Sequence, residues 1–350
     1  MLPGQDSVSL PTAALLPNPW QSGPWGDDFA VYNPAIVQHR GRLLMAYRVD
    51  FGRGRGMQRK IGLCELDATF TPVPDSVRPL SDRIESCNPY HYDPRFLLYQ
   101  DRLFIHYNNN TQSRPNQIFL IELDSDTLAP RTPARPLRLA GPRQAVEKNW
   151  MLFEHAGDLL AVYQIAPHTI LRLDLAGTGA VECHPFYTTD WDVSAYADRF
   201  GAPRGGTPPV RQGQIYLSFF HSRYPISPLR GLLRIWPDSA ENRLPRYVAA
   251  IERRQRRPLD QMRYVAGVYA FDAAPPFRPR RMAESPILRP EAEAPYTRRR
   301  RRRNPSADGI VYPCGALPWA DGRWLVSYGV HDERCCLRFV NLPGPNEDWK

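Results

Sequence analysis

LLMAYR at residues 43–48 is the first of five segments with one pattern, an apolar strand that ends in an aromatic residue followed by a polar or small one. The other four are LFIHYN at 103–108, LLAVYQ at 159–164, YLSFFH at 216–221 and WLVSYG at 324–329. Fifteen residues before the last residue of each segment lie Asn33, Asp93, Asn149, Gly206 and Cys314. A fixed spacing with strand patterning indicates a repeat architecture, for which four-stranded blades around a central channel are the usual closed form. The sequence therefore predicts an all-β fold, a five-bladed β-propeller.

The same spacing defines the domain organisation. Successive repeat starts are 60, 56, 57 and 108 residues apart, so the last interval is almost double the others. We expect one propeller domain at 30–350 with an insertion at about 224–310, after an irregular lead-in at 1–29. Within the insertion, YVAGVYAF at 264–271 is typical of a strand that completes the fourth blade, and a short helix is predicted near 247–256. Long insertions in such folds usually lie at a channel mouth.

Composition favours a globular protein with a substantial core, because 42% of the 350 residues are hydrophobic and 11% are aromatic. No run reaches the roughly 18 apolar residues of a membrane span, and MLPGQDSVSL lacks the basic start and apolar run of a signal peptide. We therefore expect a cytoplasmic protein. The six cysteines contain no CxxC pair, which predicts reduced, mostly buried thiols and no metal site. The adjacent Cys335 and Cys336 should point to opposite faces of a strand.

The formal net charge is +9, and six of the positive charges lie in one run, Arg298 to Arg303. Such runs are usually solvated. The alternative is an electrostatic tether for an anionic partner such as a glycan, a phosphate, a membrane surface or a nucleic acid. Nucleic acid is not expected as a substrate, because no stacking platform or recognition helix accompanies the run. The oligomeric state is left open by the sequence.

The first strand of each blade lines the channel of a propeller, so the strand-start residues of this repeat should converge. Together with the strand ends and the fifth copy, they assemble acids, bases, amides and glycines: Asn33, Arg48, Asp93, Glu147, Lys148, Asn149, Gly205, Gly206, His221, His331 and Asp332. Such groups in one concavity suit a polar substrate such as a sugar.

Asp93 lies in NPYHYDPRFLL, where Pro94 cannot donate a ladder hydrogen bond and therefore belongs at the first residue of a strand or at an edge. Asp93 is thus held at the strand mouth, either as a general acid or as a turn residue that accepts local backbone hydrogen bonds. Arg95 points to the same face and either orients that carboxylate or pairs with it. In EKNW, three polar residues precede a buried aromatic run, where they are costly unless solvated or used.

The motifs NPAI with AYR, YDPRF, EKNW, GGTPP with FFHS, and YPCG with VSYG and Asp332 resemble family 130 of the glycoside hydrolases over about residues 33–332. That family contains five-bladed propellers, chiefly β-mannoside phosphorylases with some β-mannosidases. The resemblance implies that Asp93, in the DPR element, is the catalytic acid. It also implies sugar contacts at Asn33, Arg48 and Asp332, and phosphate contacts at Lys148 or a neighbour and at His221. The set of predicted substrate-binding residues is completed by Tyr92, Arg95 and Asn149.

The chain departs from the family at the end of the third-blade strand, where the phosphorylases generally carry Arg and this chain has Gln164. The basic residue usual before the fourth-blade glycines has Arg204 as its nearest candidate. These departures leave phosphorolysis, hydrolysis and transfer open.

The first hypothesis is an inverting carbohydrate-active enzyme that acts on β-mannosides or similar glycosides, with Asp93 as general acid. Its nucleophile is either phosphate, held by Arg48, Lys148, Arg204 and His221, or water activated by Glu147. Inverting hydrolysis requires two carboxyl groups roughly 6.5–9.5 Å apart. The alternatives are a glycosyltransferase of surface-glycan synthesis with a sugar-phosphate donor, and a non-catalytic glycan-binding propeller. No cofactor is expected beyond inorganic phosphate as a co-substrate.

Overall fold

A computed structural model describes residues 7–24, 26–53, 56–85, 90–109, 116–144, 146–225, 262–290 and 307–342. Within these ranges the chain is mostly β, and its strands form antiparallel groups that follow one another along the sequence. The all-β prediction is confirmed. Cys87, the predicted helix near 247–256 and the run Arg298 to Arg303 lie outside the described residues.

Five groups of strands are present in the described residues. The first holds β2 (Phe29–His39), β3 (Arg42–Phe51) and β4 (Gln58–Leu66). The second holds β5 (Tyr92–Tyr99), β6 (Arg102–Asn108), β7 (Ile118–Leu123) and β8 (Arg135–Leu139). The third holds β9 (Met151–His155), β10 (Asp158–Gln164), β11 (His168–Asp174) and β12 (Val181–Thr189). A parallel pairing of β8 with β12 joins the second and third groups into one eight-stranded sheet.

The fourth group holds β13 (Val210–Gln212), β14 (Ile215–Pro225), β15 (Met262–Asp272) and β16 (Pro279–Met282), and β17 (Ala307–Gly309) runs parallel to β15. The strand predicted at 264–271 therefore lies in β15, inside the segment assigned to the insertion. The fifth group holds β18 (Val311–Pro318), β19 (Trp324–Val330), β20 (Arg334–Val340) and the N-terminal strand β1 (Ser7–Ser9). Each of the five repeat segments forms the second strand of its group.

The lead-in is more ordered than the sequence indicated. Strand β1 pairs antiparallel with β20, opposite Cys336 to Arg338, and is followed by a 3-10 helix at Thr12–Leu15 and helix α1 at Asn18–Gln21. The prediction that this segment is irregular is wrong at 7–21, because a three-residue strand shows no alternation and is defined by its pairing partner. The remaining helices among the described residues are a 3-10 helix at Leu80–Arg83 and helix α2 at Ser194–Phe200.

The core lies between the groups and is built on the repeat. The aromatic residues Tyr47, Tyr107, Phe220 and Tyr328 are at most 1% exposed, whereas their equivalent Tyr163 is only half-buried. The five described cysteines are all buried. Cys335 and Cys336 belong to two different apolar clusters, so the prediction that they occupy opposite faces is confirmed.

One apolar cavity of about 300 Å³ contacts every group. Its wall takes Ile36 from β2, Phe96 from β5, Phe153 from β9, Val210 from β13 and Ala316 from β18. The first strands of all five groups therefore face one shared space.

Candidate active site

The predicted site residues lie where the first strands depart from regular geometry. Asn33, Asp93 and Asn149 have φ of 53°, 54° and 65°, a left-handed conformation that Asn and Asp adopt more readily than other non-glycine residues. The β2–β3 register shifts between Tyr32 and Ala35, and the β5–β6 register shifts between Tyr92 and Arg95. Such bulges re-aim side chains and tolerate proline. The repeat thus places a polar side chain on the same kind of bend in the first two groups.

Asp93 is held by two donors from the first group. Asn33 Nδ2 donates to Asp93 Oδ1 at 2.8 Å, and Arg48 Nη1 donates to the same oxygen at 3.2 Å. Burial opposes ionisation, but Arg48, then Arg95, the Asn33 hydrogen bond and Lys148 together hold the pKa of Asp93 below its ordinary value. The Asp93 side chain is 11% exposed, and its carboxyl group is ionised at neutral pH.

Arg48 is itself fixed by Asp50, which sequence analysis missed. Arg48 Nε and Nη2 donate to the two Asp50 carboxylate oxygens at 2.7 and 2.8 Å, a bidentate pair. Tyr32 Oη donates to Asp50 at 2.7 Å, and the guanidinium lies over the rings of Tyr32 and Tyr92 at 4.6 and 5.1 Å. These contacts fix the orientation of the guanidinium, so that its remaining nitrogen, Nη1, points to Asp93. Asp50 lies two residues beyond Arg48 on the same face of β3, and that period-two spacing is the signal that identifies it.

Asn33 lies directly against Gly329, the residue of the fifth repeat that is equivalent to Arg48. A β-carbon at position 329 would lie 2.0 Å from Asn33 Oδ1 and 2.8 Å from Asn33 N. Glycine at this position thus leaves room for the amide that donates to Asp93. Asp332 has a left-handed φ of 57°. Burial raises the pKa of the Tyr32 hydroxyl well above its usual range, and the charges of Asp50 and Asp332 add to that rise, so Asp332 lies near the same cluster.

Arg95 donates hydrogen bonds to backbone carbonyls, and Asn149 accepts one from a tyrosine. Arg95 Nε donates to the Gly206 carbonyl at 2.7 Å, and its Nη1 donates to the carbonyls of Asp93 and Pro94 at 3.2 and 2.9 Å. Arg95 thus braces the bulge through backbone oxygens, and its charge also lowers the pKa of Asp93. Asn149 Oδ1 accepts a 2.6 Å hydrogen bond from Tyr312 Oη, a contact across groups that no single motif indicates.

His221 is buried and neutral. Its Nδ1 lies 2.9 Å from the Gly205 carbonyl, which can only accept, so Nδ1 carries the proton. Burial, followed by the charges of Lys148 and Arg204, holds the pKa of His221 well below its ordinary value. His221 would therefore meet a phosphate as a neutral imidazole, because nearby cations and burial disfavour its protonation.

Three cations line a cavity of about 500 Å³ beside Asn149: Lys148, Arg204 and Arg223. Burial, then Arg204, Arg223 and Arg48, lower the pKa of Lys148 despite the opposing charge of Asp93. Within the described part of the chain, no carboxylate lies within 4 Å of a charged nitrogen of these three residues. Arg223 was missed by sequence analysis. It lies two residues beyond His221, as Asp50 lies two beyond Arg48.

Glu147 lies in the wall of this cavity, where other groups engage its carboxylate. Oε1 accepts from the Gln144 backbone N–H at 2.6 Å and from Tyr163 Oη at 3.3 Å, and Oε2 accepts from Trp150 Nε1 at 3.3 Å. The side chain belongs to a residue only 3% exposed. These contacts tie Glu147 to the 144–150 loop, and none joins it to Asp93. Water activation by Glu147 stays a prediction.

No family model and no curated protein matches the chain. Similar solved structures include MPT-1, a GDP-Man-dependent mannosyltransferase from Leishmania mexicana, at 12% identity and a TM-score of 0.62, over 98% of this chain and 92% of that one. A β-1,2-mannobiose phosphorylase from Listeria innocua matches at 14% identity and 0.57, over 96% and 97%. MPT-4, a mannose phosphorylase from Leishmania mexicana in complex with phosphate, matches at 16% and 0.51, over 90% and 85%.

Identities this low show the fold alone. The fold is a propeller similar to that of glycoside hydrolase family 130, so the resemblance predicted from the motifs is confirmed at that level. Among the described helices, none is long and apolar enough to cross a membrane. No group of three or more His, Cys, Asp or Glu side chains that would hold a metal occurs in the described ranges.

Proposed function

We propose that the protein is a five-bladed propeller enzyme that makes or breaks a glycosidic bond of a β-mannoside or a similar glycoside with inversion. The observation that carries this proposal is the Asp93 carboxylate, fixed by Asn33 and Arg48 at a bulge and placed within electrostatic reach of Lys148. The cavity shared by the first strands of all five groups supports the blade count. The fold of the mannoside-active structures supports the substrate class.

Asp93 carries the proton transfer in this proposal. As an ionised carboxylate it is ready to accept a proton from an acceptor hydroxyl while a glycosidic bond forms. In the cleavage direction the same group donates that proton to the leaving oxygen, directly or through a substrate hydroxyl. It must first be protonated, and an anion bound beside Lys148 favours this because it offsets the positive charges that lower the pKa of Asp93.

The remaining contacts divide between sugar and anion. In this proposal sugar hydroxyls are bound by Asn33, Arg48 and Tyr92, which lie next to Asp93, and by Asp332, whose charge acts on Tyr32. Lys148, Arg204 and Arg223 supply the positive charge for phosphate or a phosphate ester. His221, as a neutral imidazole, keeps Nε2 as a hydrogen-bond acceptor rather than a cation.

The test is turnover of β-mannosides, including β-1,2-mannobiose, with and without phosphate, and identification of the released sugar and its anomer. Inversion of a β-mannoside by phosphate gives α-mannose 1-phosphate. Asp93→Asn should lower the rate by about 10²–10⁴-fold. Asp101→Asn is the matched control, since Asp101 has a side chain 83% exposed and lies at the next turn of the same group. Equal turnover in the two variants, on a glycoside with an unactivated leaving group, overturns the role of Asp93.

A second candidate, glycosyl transfer from a sugar-phosphate donor, is favoured by Gln164. This neutral side chain lies in the wall of the cation-lined cavity, where the resemblance predicts an arginine that would bind inorganic phosphate. Transfer product in the presence of a donor, without release of sugar 1-phosphate, would support it. Glycan affinity without turnover in any of these assays would support a binding module instead.

A further inference from the structure

The wall of the cation-lined cavity includes many neutral residues besides its three cations. Lys148, Arg204 and Arg223 form one part of its wall, and Gln144, Val146, Tyr163, Gln164 and Ile165 form another. Asn33, Arg48 and Asp93 are not in the wall. The cavity therefore starts beside the sugar-binding cluster, at Lys148 and Asn149, and continues away from it toward the end of β10.

The charged part of the cavity attracts anions, because the solvent-exposed side chains of Lys148, Arg204 and Arg223 lie in one wall. Arg204 and Arg223 both lower the pKa of Lys148, and Arg223 also lowers that of Arg204, after the larger effect of burial in each case. Solvent weakens the repulsion between these exposed cations, and a negative group bound between them reduces it further. The acid in the wall, Glu147, is engaged by Gln144, Tyr163 and Trp150 and does not supply that group.

The neutral part of the cavity provides space and contact surface beyond the size of an inorganic phosphate ion. Gln144 Nε2 donates to Gln164 Oε1 at 3.4 Å, and Tyr163 packs edge-on against Trp150 at 5.4 Å, so this wall is ordered and offers amide and aromatic surface. Val146 is 53% exposed at the rim. A volume of about 500 Å³ falls within the roughly 300–1,000 Å³ of sites that bind small organic molecules.

We propose that this cavity binds an organic phosphate ester, with its phosphate between Lys148, Arg204 and Arg223 and its organic group along Tyr163, Gln164 and Val146. The organic group lies on the side away from Asp93. The inference rests on the proposed function for the position of the anion beside Asp93, and it adds the class of the ligand. Sugar phosphates and nucleoside phosphates share this chemistry.

The experiment is calorimetric titration of the full chain at low salt with charge-matched pairs of probes. Inorganic phosphate is compared with mannose 1-phosphate, and pyrophosphate is compared with UDP and GDP. We expect UDP or GDP to bind tenfold or more tightly than pyrophosphate, and Gln164→Ala to remove that advantage. Tighter binding of mannose 1-phosphate than of phosphate supports a sugar phosphate in this cavity where Gln164→Ala removes it, because the proposed function itself puts the mannose of this product beside Asp93. Equal or weaker binding of every ester, an advantage that survives Gln164→Ala, or no binding of any probe overturns the proposal.

Two substitutions at one position sharpen the result. Gln164→Ala removes a neutral contact and should weaken ester binding while inorganic phosphate binding stays unchanged. Gln164→Arg adds a cation and should strengthen the binding of inorganic phosphate. The ratio between the affinities for the ester and for its inorganic partner should therefore become smaller. Melting curves of both variants exclude unfolding as the cause. The Asp93 proposal fails separately, because Asp93→Asn turnover is measured without reference to these affinities.

Discussion

Gly329→Ala is expected to impair the site from a position that touches no substrate. Gly329 has no positive φ, so its backbone accepts alanine, but the new methyl would lie 2.0 Å from Asn33 Oδ1. Contacts below about 3 Å do not persist, so the Asn33 amide must retreat by roughly 1 Å. A displacement of that size takes Nδ2 out of its position 2.8 Å from Asp93 Oδ1 and disrupts the hydrogen bond.

The magnitude follows from the bond that is lost. A hydrogen bond to a charged group is worth about 1.5–3 kcal/mol, and each 1.36 kcal/mol corresponds to about tenfold in rate. We therefore expect kcat/KM to fall by roughly 10- to 150-fold. The pKa of Asp93 should rise at the same time, because the Asn33 hydrogen bond is one of the interactions that lower it.

The assay is kcat/KM against pH for wild type, Gly329→Ala and the control Gly179→Ala, whose new methyl meets nothing within 4 Å. The acidic limb of the synthetic direction should move to higher pH in Gly329→Ala alone. In an Asn33→Gly background, which removes the amide and suits the left-handed φ of 53°, Gly329→Ala should cost less, since only the 2.8 Å approach to the backbone N at position 33 remains. The reasoning is refuted by a wild-type pH profile in Gly329→Ala, or by an equal loss in both backgrounds.

Three further predictions concern charge. Because Arg48 and its neighbours lower the pKa of Asp93, the ionised group contributes stability above its unfolded pKa that is lost as pH falls through the lower folded pKa. The difference in unfolding free energy between wild type and Asp93→Asn should thus shrink from about pH 5 to about pH 2 in urea titrations; a constant difference contradicts the assignment. Asp50→Ala, which strips the buried Arg48 of its bidentate partner, should cost about 3–5 kcal/mol in the same titration. Glu65→Ala, which breaks the more exposed Arg42 pair, should cost about 1 kcal/mol or less. Equal losses of unfolding free energy in Asp50→Ala and Glu65→Ala would contradict the argument that burial makes the Arg48 pair more costly to break. Replacement of Arg298 to Arg303 by serine lowers the formal net charge from +9 to +3 and should leave the melting temperature unchanged, whereas a fall of several degrees would show that the run packs on the body.

The repeat made much of the fold predictable. Its second strands and the bulged positions Asn33, Asp93 and Cys314 follow from one spacing, since aromatic and polar positions recur with the strand period. The extension of β3 and β14 past the repeat did not follow, and it carries Asp50 and Arg223 into the site. The contacts of Gly329 with Asn33 and of Tyr312 with Asn149 join different copies, so no local pattern encodes them.

The charge state of the site was the least predictable part. Sequence analysis grouped His221 with Arg48, Lys148 and Arg204 as a phosphate ligand, but its protonation depends on burial and on the neighbours that the fold supplies. Glu147 was likewise chosen for its carboxylate, which the structure engages with a backbone N–H, a tyrosine and an indole. Residue type and spacing indicate where polar groups gather, but not which of them remain charged and accessible.

The pairing of β1 with β20 has a consequence for biosynthesis. Ser7 and Arg338 face each other across about 330 residues of sequence, so the ribosome releases the first strand long before its partner exists. Leu10, Leu15 and Trp20, which follow that strand, belong to an apolar cluster that also holds Leu325, Cys335, Leu337 and Phe339 of the last group. The pairing of β1 with β20 can therefore form only after β20 has been synthesised, so the fifth group is completed late when the protein folds during translation.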